Sequence, residues 1–152
     1  MQKSVWGPAT WKVIHCLPFK ANKNIKKDEF NDLKNILSRI MSNLPCPYCT
    51  SHAISYLTTT NFKSIQNIND LILYLFNFHN SVNMRINKPT ITLEEHNKIY
   101  TDMNLVNTIQ TFINIYQKNT HSVTMMLYNF HRKQMVYDVY LYIQKTKPLY
   151  GL

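Results

Sequence analysis

The sequence predicts an all-α fold, and three observations indicate it. Only 2 of the 152 residues are glycine, a scarcity that argues against turn-rich β-sandwiches and barrels. Hydrophobic residues make up 45% of the chain, enough for one domain with a substantial core. These residues recur at helical spacing in segments that prolines and capping residues separate. The elements expected are therefore helices, taken below in chain order.

The first two helices are predicted from prolines and from apolar spacing. The first opens at Gly7 and Pro8, because a proline without its N–H is harmless in a first turn, and it ends at Pro18. The second covers residues 26–43, where apolar residues keep helical spacing and acidic residues occupy the first turn. Pro45 ends it.

The later helices are predicted mainly from caps. Cys46 stands at the N-cap of a third helix, "CPYCTSHAISYL", and Asn69 at the N-cap of a fourth, which Pro89 closes. Thr92 and Glu95 form a capping box that begins a fifth helix. Two more segments follow, "LVNTIQTFINIY" and "MVYDVYLYIQK". The Val and Tyr content of the second segment also allows a strand.

Composition excludes several classes of protein. The 17 basic and 8 acidic residues give a net charge of +9, but the lysines are scattered, so no nucleic-acid partner is predicted. The N-terminus lacks the apolar stretch of a signal peptide, and the run "LILYLF" is far shorter than the roughly 20 residues of a membrane span. We therefore expect a soluble protein that is not secreted by a signal peptide and has no membrane span.

The sequence "CPYC", residues 46–49, is the main candidate for chemistry. Unpaired amides and the dipole at a helix N-terminus stabilise a thiolate, so Cys46 and Cys49 are expected to form a reactive dithiol or disulfide. The tetrapeptide also occurs in glutaredoxins, but those have a β-strand before it and this chain has a predicted helix. A zinc site of Cys46, Cys49, His52 and His79 stays open, as does a pair of merely buried cysteines.

Two further motifs accompany the cysteine pair. "WGPATWKVIH" contains W-x₄-W-x₃-H, and "HNSVNMRINKP" contains H-N-x-V-N followed by K-P. In this order around C-x-x-C they resemble the FAD-linked sulfhydryl oxidases of the Erv/ALR family, over about residues 5–90. The resemblance implies a four-helix bundle plus a short fifth helix that binds FAD at one end, usually as a homodimer. Residues 1–100 would form this FAD-binding domain and residues 101–152 a mainly helical C-terminal extension packed on or between the bundles.

The resemblance also implies roles for individual residues. The catalytic pair would be Cys46 and Cys49. The residues that would contact FAD are, from the first helix, Gly7, Thr10, Trp11 and His15, and, from the fourth, His79, Asn80, Val82 and Asn83, with Arg85 and Lys88 facing the phosphates. No metal is expected on this interpretation.

The activity implied is that of a thiol oxidase that introduces disulfides into proteins. Electrons would pass from the cysteine pair through FAD to O₂, giving H₂O₂, and the substrate would be a thiol-containing protein, such as a thioredoxin-like or virion protein. The shuttle cysteines of many members are missing, and the remaining Cys16 is expected to be a buried small side chain. Small members of this kind are typical of large cytoplasmic DNA viruses, so a viral source and a location in host cytoplasm or virion are inferred.

Overall fold

The computed structural model describes residues 1–118 and 126–152. Within these ranges the chain forms seven α-helices and no strand, so the all-α prediction is confirmed. The helices are α1 (Lys3–Lys20), α2 (Lys27–Met41), α3 (Pro47–Thr59), α4 (Ile68–Arg85), α5 (Leu93–Thr101), α6 (Leu105–Tyr116) and α7 (Met126–Thr146), with short 3₁₀ turns at Phe62–Ser64 and Lys147–Tyr150. Part of the predicted C-terminal extension, residues 119–125, lies outside the described residues.

Helix α1 is longer at both ends than predicted. It begins at Lys3 instead of Gly7, because the carbonyl of Gln2 accepts hydrogen bonds from the first turn at 3.0 and 3.2 Å. It also continues through Pro18 to Lys20. A proline inside a helix costs about 3 kcal/mol. Contacts with α2, α4, α5 and α6 bury this helix on several sides and offset that cost.

The caps of α4 and α5 show where local sequence reasoning succeeded and failed. The fourth helix is capped by Asn67, whose Oδ1 accepts the amide of Asp70 at 2.9 Å, and not by Asn69 as predicted. Both asparagines can cap a helix, so the correct one could not be read from residue type alone. The predicted capping box of α5 is confirmed, with reciprocal bonds between Thr92 and Glu95.

The segment with two possible structures, "MVYDVYLYIQK", is helical. It lies within α7, where Met135, Val136, Val139 and Tyr142 are buried at helical spacing. Burial of this stripe against α2 therefore overrides the strand preference of its Val and Tyr residues.

The helices after α5 pack on α1 and α2. Helix α6 makes its main contact with α1, where Phe112 and Tyr116 are fully buried, and α7 packs on α2 and α6. At the surface, ion pairs of 2.9 Å between Arg39 and Asp138 and of 2.7 Å between Lys145 and Asp32 join α2 to α7. Exposed ion pairs contribute little to stability, so α7 is held mainly by its apolar contact with α2. In the described part of the chain, no helix has the length and apolar character needed to cross a membrane.

Candidate functional site

An aromatic cleft lies between α1 and the helices that follow it. One face of α1 forms a wall of this cleft. The residues on that face are spaced by three or four positions, and they are Lys3, Gly7, Thr10 and Ile14. The space within the cleft that can take the centre of a water-sized sphere is about 60 Å³. The remaining lining residues are Trp6, Trp11, Met41, Leu44, Cys49, His52, Phe78, Val82 and Arg85.

The C-x-x-C sequence begins α3 at this cleft. Cys46 is the N-cap, as predicted, and its Sγ accepts the backbone N–H of Cys49 at 3.2 Å. Both cysteines are free thiols in this structure, and Cys49 lines the aromatic cleft. Burial, together with the neighbouring Cys46 sulfur, raises the pKa of the Cys49 thiol to about 11, against the opposing charges of Lys3 and Arg85. Cys49 in the dithiol form is therefore protonated at neutral pH.

Aromatic rings lie along the cleft and behind it. The rings of Trp11 and His79 are stacked with centroids 3.8 Å apart and an interplanar angle of 6°. Phe78 lies 5.4 Å from Trp11 and 6.1 Å from His52 between ring centroids. The rings of Trp11 and Phe78 give the cleft aromatic surface of the kind that stacks on a planar ligand.

Two of the predicted residues, His15 and His79, are directly bonded. Their Nε2 and Nδ1 atoms, respectively, lie 2.9 Å apart. Burial lowers the pKa of His79 to about 4, and burial with the neighbouring His79 and His96 holds the pKa of His15 well below its usual range. Both rings are therefore neutral near pH 7.

The sequence analysis missed His96, which continues this contact into α5. Nε2 of His96 lies 3.1 Å from Nδ1 of His15, and the His96 side chain is fully buried. Their spacing of four residues on a capped helix is a signal that His96 and Tyr100 share one face of α5. It did not indicate that this face meets α1.

Tyr116, from the predicted extension, was also missed. Its hydroxyl lies 2.5 Å from Oγ1 of Thr10, which itself donates to the carbonyl of Trp6 at 2.7 Å. The Tyr116 hydroxyl is therefore the donor in the shared bond, and burial raises its pKa above the usual value. Through this bond, Tyr116 of α6 fixes the side chain of Thr10, which lines the cleft.

Arg85 lies near the cysteine pair. Its guanidinium carbon is 5.1 Å from the centroid of the Tyr48 ring, and Nη1 is 3.5 Å from the Tyr48 hydroxyl. Because Tyr48 stands between the two cysteines and Arg85 lines the aromatic cleft, this positive charge faces the redox pair. A contact of Arg85 with cofactor phosphates stays a prediction.

Three other predicted polar residues, Asn80, Asn83 and Lys88, lie outside the lining of the aromatic cleft, as do His15 and His79. Both ends of the Asn80 amide are bonded to the backbone of Ile91, at 2.9 and 3.1 Å, so Asn80 fixes the segment before α5. The carbonyl of Asn83 accepts the backbone N–H of Lys88 at 2.8 Å at the end of α4. Cofactor contacts by Asn80, Asn83 and Lys88 stay predictions.

The zinc arrangement considered from sequence is not assembled in the described residues. No group of three or more His, Cys, Asp or Glu side chains there is placed to hold a metal ion. His79 instead stacks on Trp11 and bonds to His15.

Comparisons with known proteins place the chain in a family. Residues 8–102 match the model of the Erv1/Alr family. An FAD-linked sulfhydryl oxidase of African swine fever virus (isolate Tick/Malawi/Lil 20-1/1983) is 38% identical over 106 residues, which are 69% of this chain and 87% of the relative. The putative FAD-linked sulfhydryl oxidase 096R of Invertebrate iridescent virus 3 is 32% identical over 88 residues, 57% of this chain and 60% of the relative. This chain therefore belongs to the Erv1/Alr family.

Proposed function

We propose that this protein is an FAD-dependent thiol oxidase that introduces disulfides into thiol-containing proteins. The observation that carries the proposal is the placement of the C-x-x-C pair at the aromatic cleft. Cys46 caps α3, while Cys49 lines the cleft with Trp11 and Phe78. A glutaredoxin-like reductase would have a strand before the pair, and here α2 precedes it. Family membership and the names of the viral relatives support the same activity.

The cleft fits a flat cofactor at Gly7. This glycine is buried in the first turns of α1 and lines the cleft, yet a Cβ added to it would meet only Cγ of Lys3, at 3.9 Å. The fold itself thus leaves room for a side chain, and glycine keeps that room open beside the helix backbone. The stacked rings of Trp11 and His79 supply aromatic surface nearby.

The residues that would hold FAD are those of α1 and α4 that line the cleft or lie behind it. They are Gly7, Thr10, Trp11 and His15 on α1, and His79, Val82 and Arg85 on α4, with Asn80, Asn83 and Lys88 as further predicted contacts. Bound FAD would supply the two-electron acceptor that reoxidises the cysteine pair, with O₂ as the final acceptor and H₂O₂ as the product.

The protein's own step is thiol–disulfide exchange. A substrate thiolate attacks Cys46 in the Cys46–Cys49 disulfide, so that a mixed disulfide forms and Cys49 departs as a thiolate. The substrate's second thiolate then attacks the substrate sulfur of the mixed disulfide and releases Cys46. The substrate has then lost two electrons and two protons, and the cysteine pair has gained both.

Charges around the pair suit each departing sulfur. Lys3 and Arg85 act on Cys49 from the cleft and favour negative charge on it when it leaves. The Cys49 amide and the N-terminus of α3 offer hydrogen bonding to charge that develops on Cys46. Once both sulfurs are reduced, Cys49 takes up a proton, since its pKa is about 11.

Partners and location belong to this proposal. The substrate is a protein with a thiol pair that can reach Cys46, for which a thioredoxin-like or virion protein is a candidate. The relatives compared above are viral. We propose that this protein is also viral and acts in host cytoplasm or virion. In a homodimer, contact would be made outside the faces of α1 and α2 that α6 and α7 cover.

Purified protein tests the proposal directly. We expect the flavin absorption spectrum, oxygen uptake with dithiothreitol and formation of H₂O₂. Cys46→Ser and Cys49→Ser should each abolish turnover, whereas the matched variant Cys16→Ala should retain it, because Cys16 is fully buried away from the cleft lining. A protein that retains no FAD, or a Cys49→Ser variant with wild-type turnover, would contradict the proposed function.

A further inference from the structure

Three histidines, one each from α1, α4 and α5, form one continuous hydrogen-bonded chain. The chain runs from Nδ1 of His79 to Nε2 of His15 at 2.9 Å, and from Nδ1 of His15 to Nε2 of His96 at 3.1 Å. It ends where Nδ1 of His96 meets Oδ1 of Asn97 at 3.2 Å. We call His79, His15 and His96 the histidine chain. Its far end, Asn97, is exposed on α5.

Aromatic packing leaves His96 few other partners. Its ring lies 4.6 Å from Tyr100, 5.6 Å from Phe76 and 6.1 Å from Phe19 between centroids. The residue is fully buried, so water does not replace a missing partner at either ring nitrogen. The bonds between Asn80 and Ile91 fix the backbone just before α5 and so help to hold this helix in position.

Neutral histidines can form this chain in only two arrangements. Each ring carries one N–H, and each bond needs one donor and one acceptor. Either all three rings carry hydrogen on Nδ1, or all three carry it on Nε2. The group at the end of the chain selects between them. The oxygen of the Asn97 amide faces His96, and an oxygen can only accept. Nδ1 of His96 is therefore the donor, and the same arrangement follows at His15 and His79.

We propose that His96 and Asn97 are positioning residues that set the tautomers of His15 and His79. This inference rests on the proposed function and extends it to residues that lie outside the aromatic cleft. With hydrogen on Nδ1, His79 has an unprotonated Nε2, which has no protein partner among the described residues. The half-buried ring therefore accepts a hydrogen bond from an amino or hydroxyl group of the cofactor, and it does not pair with a phosphate oxygen.

NMR of the ring nitrogens in the full-length protein tests the tautomers without reference to activity. In ¹⁵N-histidine-labelled wild type, we expect the proton on Nδ1 in His15, His79 and His96, although Nε2–H is the commoner tautomer of free histidine. A proton on Nε2 of His15 or His79 would overturn the proposal.

Variants of His96 separate positioning from packing. In His96→Gln the side-chain oxygen can accept from His15, whereas His96→Leu offers similar bulk and no acceptor. We expect His96→Leu to move the proton of His15 and His79 toward Nε2 and to weaken FAD affinity about tenfold, the equivalent of one hydrogen bond. His96→Gln should restore both. Equal losses in the two variants, or unchanged tautomers in His96→Leu, would show a packing role only and refute the inference.

Asn97 provides a test that does not disturb the core. Asn97→Asp keeps an acceptor and should retain Nδ1–H throughout the histidine chain, while Asn97→Leu should allow both arrangements. Unchanged tautomers in Asn97→Leu would refute the role of Asn97. Loss of thiol oxidation by wild type would refute the proposed function but would leave these NMR results intact, so the two failures can be told apart.

Discussion

The chain contains only two glycines, and the structure gives them different reasons to be glycine. Gly7 lines the aromatic cleft inside α1, where an added Cβ meets only Cγ of Lys3 at 3.9 Å. A glycine inside a helix is less favourable than alanine by about 0.5–1 kcal/mol. A residue with a Cβ is restricted when a proline follows it, so Pro8 reduces the stability that Gly7→Ala would gain. The restriction is tolerated in this helix, because Leu17 precedes Pro18. The expected effect of Gly7→Ala on the free energy of unfolding without FAD is therefore between about 0 and +1 kcal/mol.

FAD binding should respond in the opposite direction. The new methyl group enters the space of the aromatic cleft next to the helix backbone, and overfilling a packed site costs about 1–3 kcal/mol. That cost corresponds to a loss of about tenfold to a hundredfold in FAD affinity. Fluorescence titration with FAD measures the affinity, and urea denaturation at several FAD concentrations measures the stability.

Gly151 supplies the matched control. Its φ of +67° lies in the left-handed region, and a Cβ there would meet no atom within 4 Å. Gly151→Ala should therefore lower the free energy of unfolding by about 1 kcal/mol and leave FAD affinity unchanged. If Gly7→Ala binds FAD as tightly as wild type, or loses stability without FAD as Gly151→Ala does, then Gly7 serves the fold and the assignment of the cleft is wrong.

Three further predictions concern stability. The pKa of His79 falls to about 4 on folding and that of His15 is also lowered, so the unfolded chain binds more protons than the folded protein below pH 6.5. The urea midpoint should therefore fall between pH 7 and pH 5, and His79 should contribute about 2–3 kcal/mol to the loss of stability once pH 4 is reached. A constant midpoint would contradict this. Tyr116→Phe removes the donor to Thr10 and should cost about 1 kcal/mol in urea denaturation while thiol oxidation is retained; no change in stability would show that this bond contributes nothing. Deletion of residues 103–152 exposes the face of α1 that α6 covers, so the truncated protein should unfold or aggregate; a soluble, cooperatively folded product in ultracentrifugation and denaturation would contradict that expectation.

Local signals could be predicted from the sequence because they act within one turn. The N-cap at Cys46 and the box of Thr92 and Glu95 depend on neighbours three residues apart, and both are present in the structure. The start of α1 was missed because it depends on packing and not on a local signal. Gly7 and Pro8 look like a first turn, and only the burial of α1 among four helices explains why helix also forms before and after its prolines.

Long-range contacts explain what the sequence could not show about the candidate site. His96 is separated from His15 by 81 residues and Tyr116 from Thr10 by 106. Each looked like an ordinary residue of an amphipathic helix, since no local pattern states which helix will lie opposite. Asn80 is the opposite case: it belongs to a recognised motif, yet its side chain makes its hydrogen bonds to the backbone of Ile91.

The surroundings of the three cysteines explain how a chain with a third thiol can keep its disulfide exchange within one pair. Cys49 faces the aromatic cleft, and Cys46 stands at the capped start of α3. Cys16 lies on α1 but is fully buried, and burial raises its pKa to about 11. Exchange needs a thiolate that can reach the sulfur it attacks, and the full burial of Cys16 denies it that access. Helix α6 therefore protects the chemistry of the cleft by burying the one thiol outside the pair.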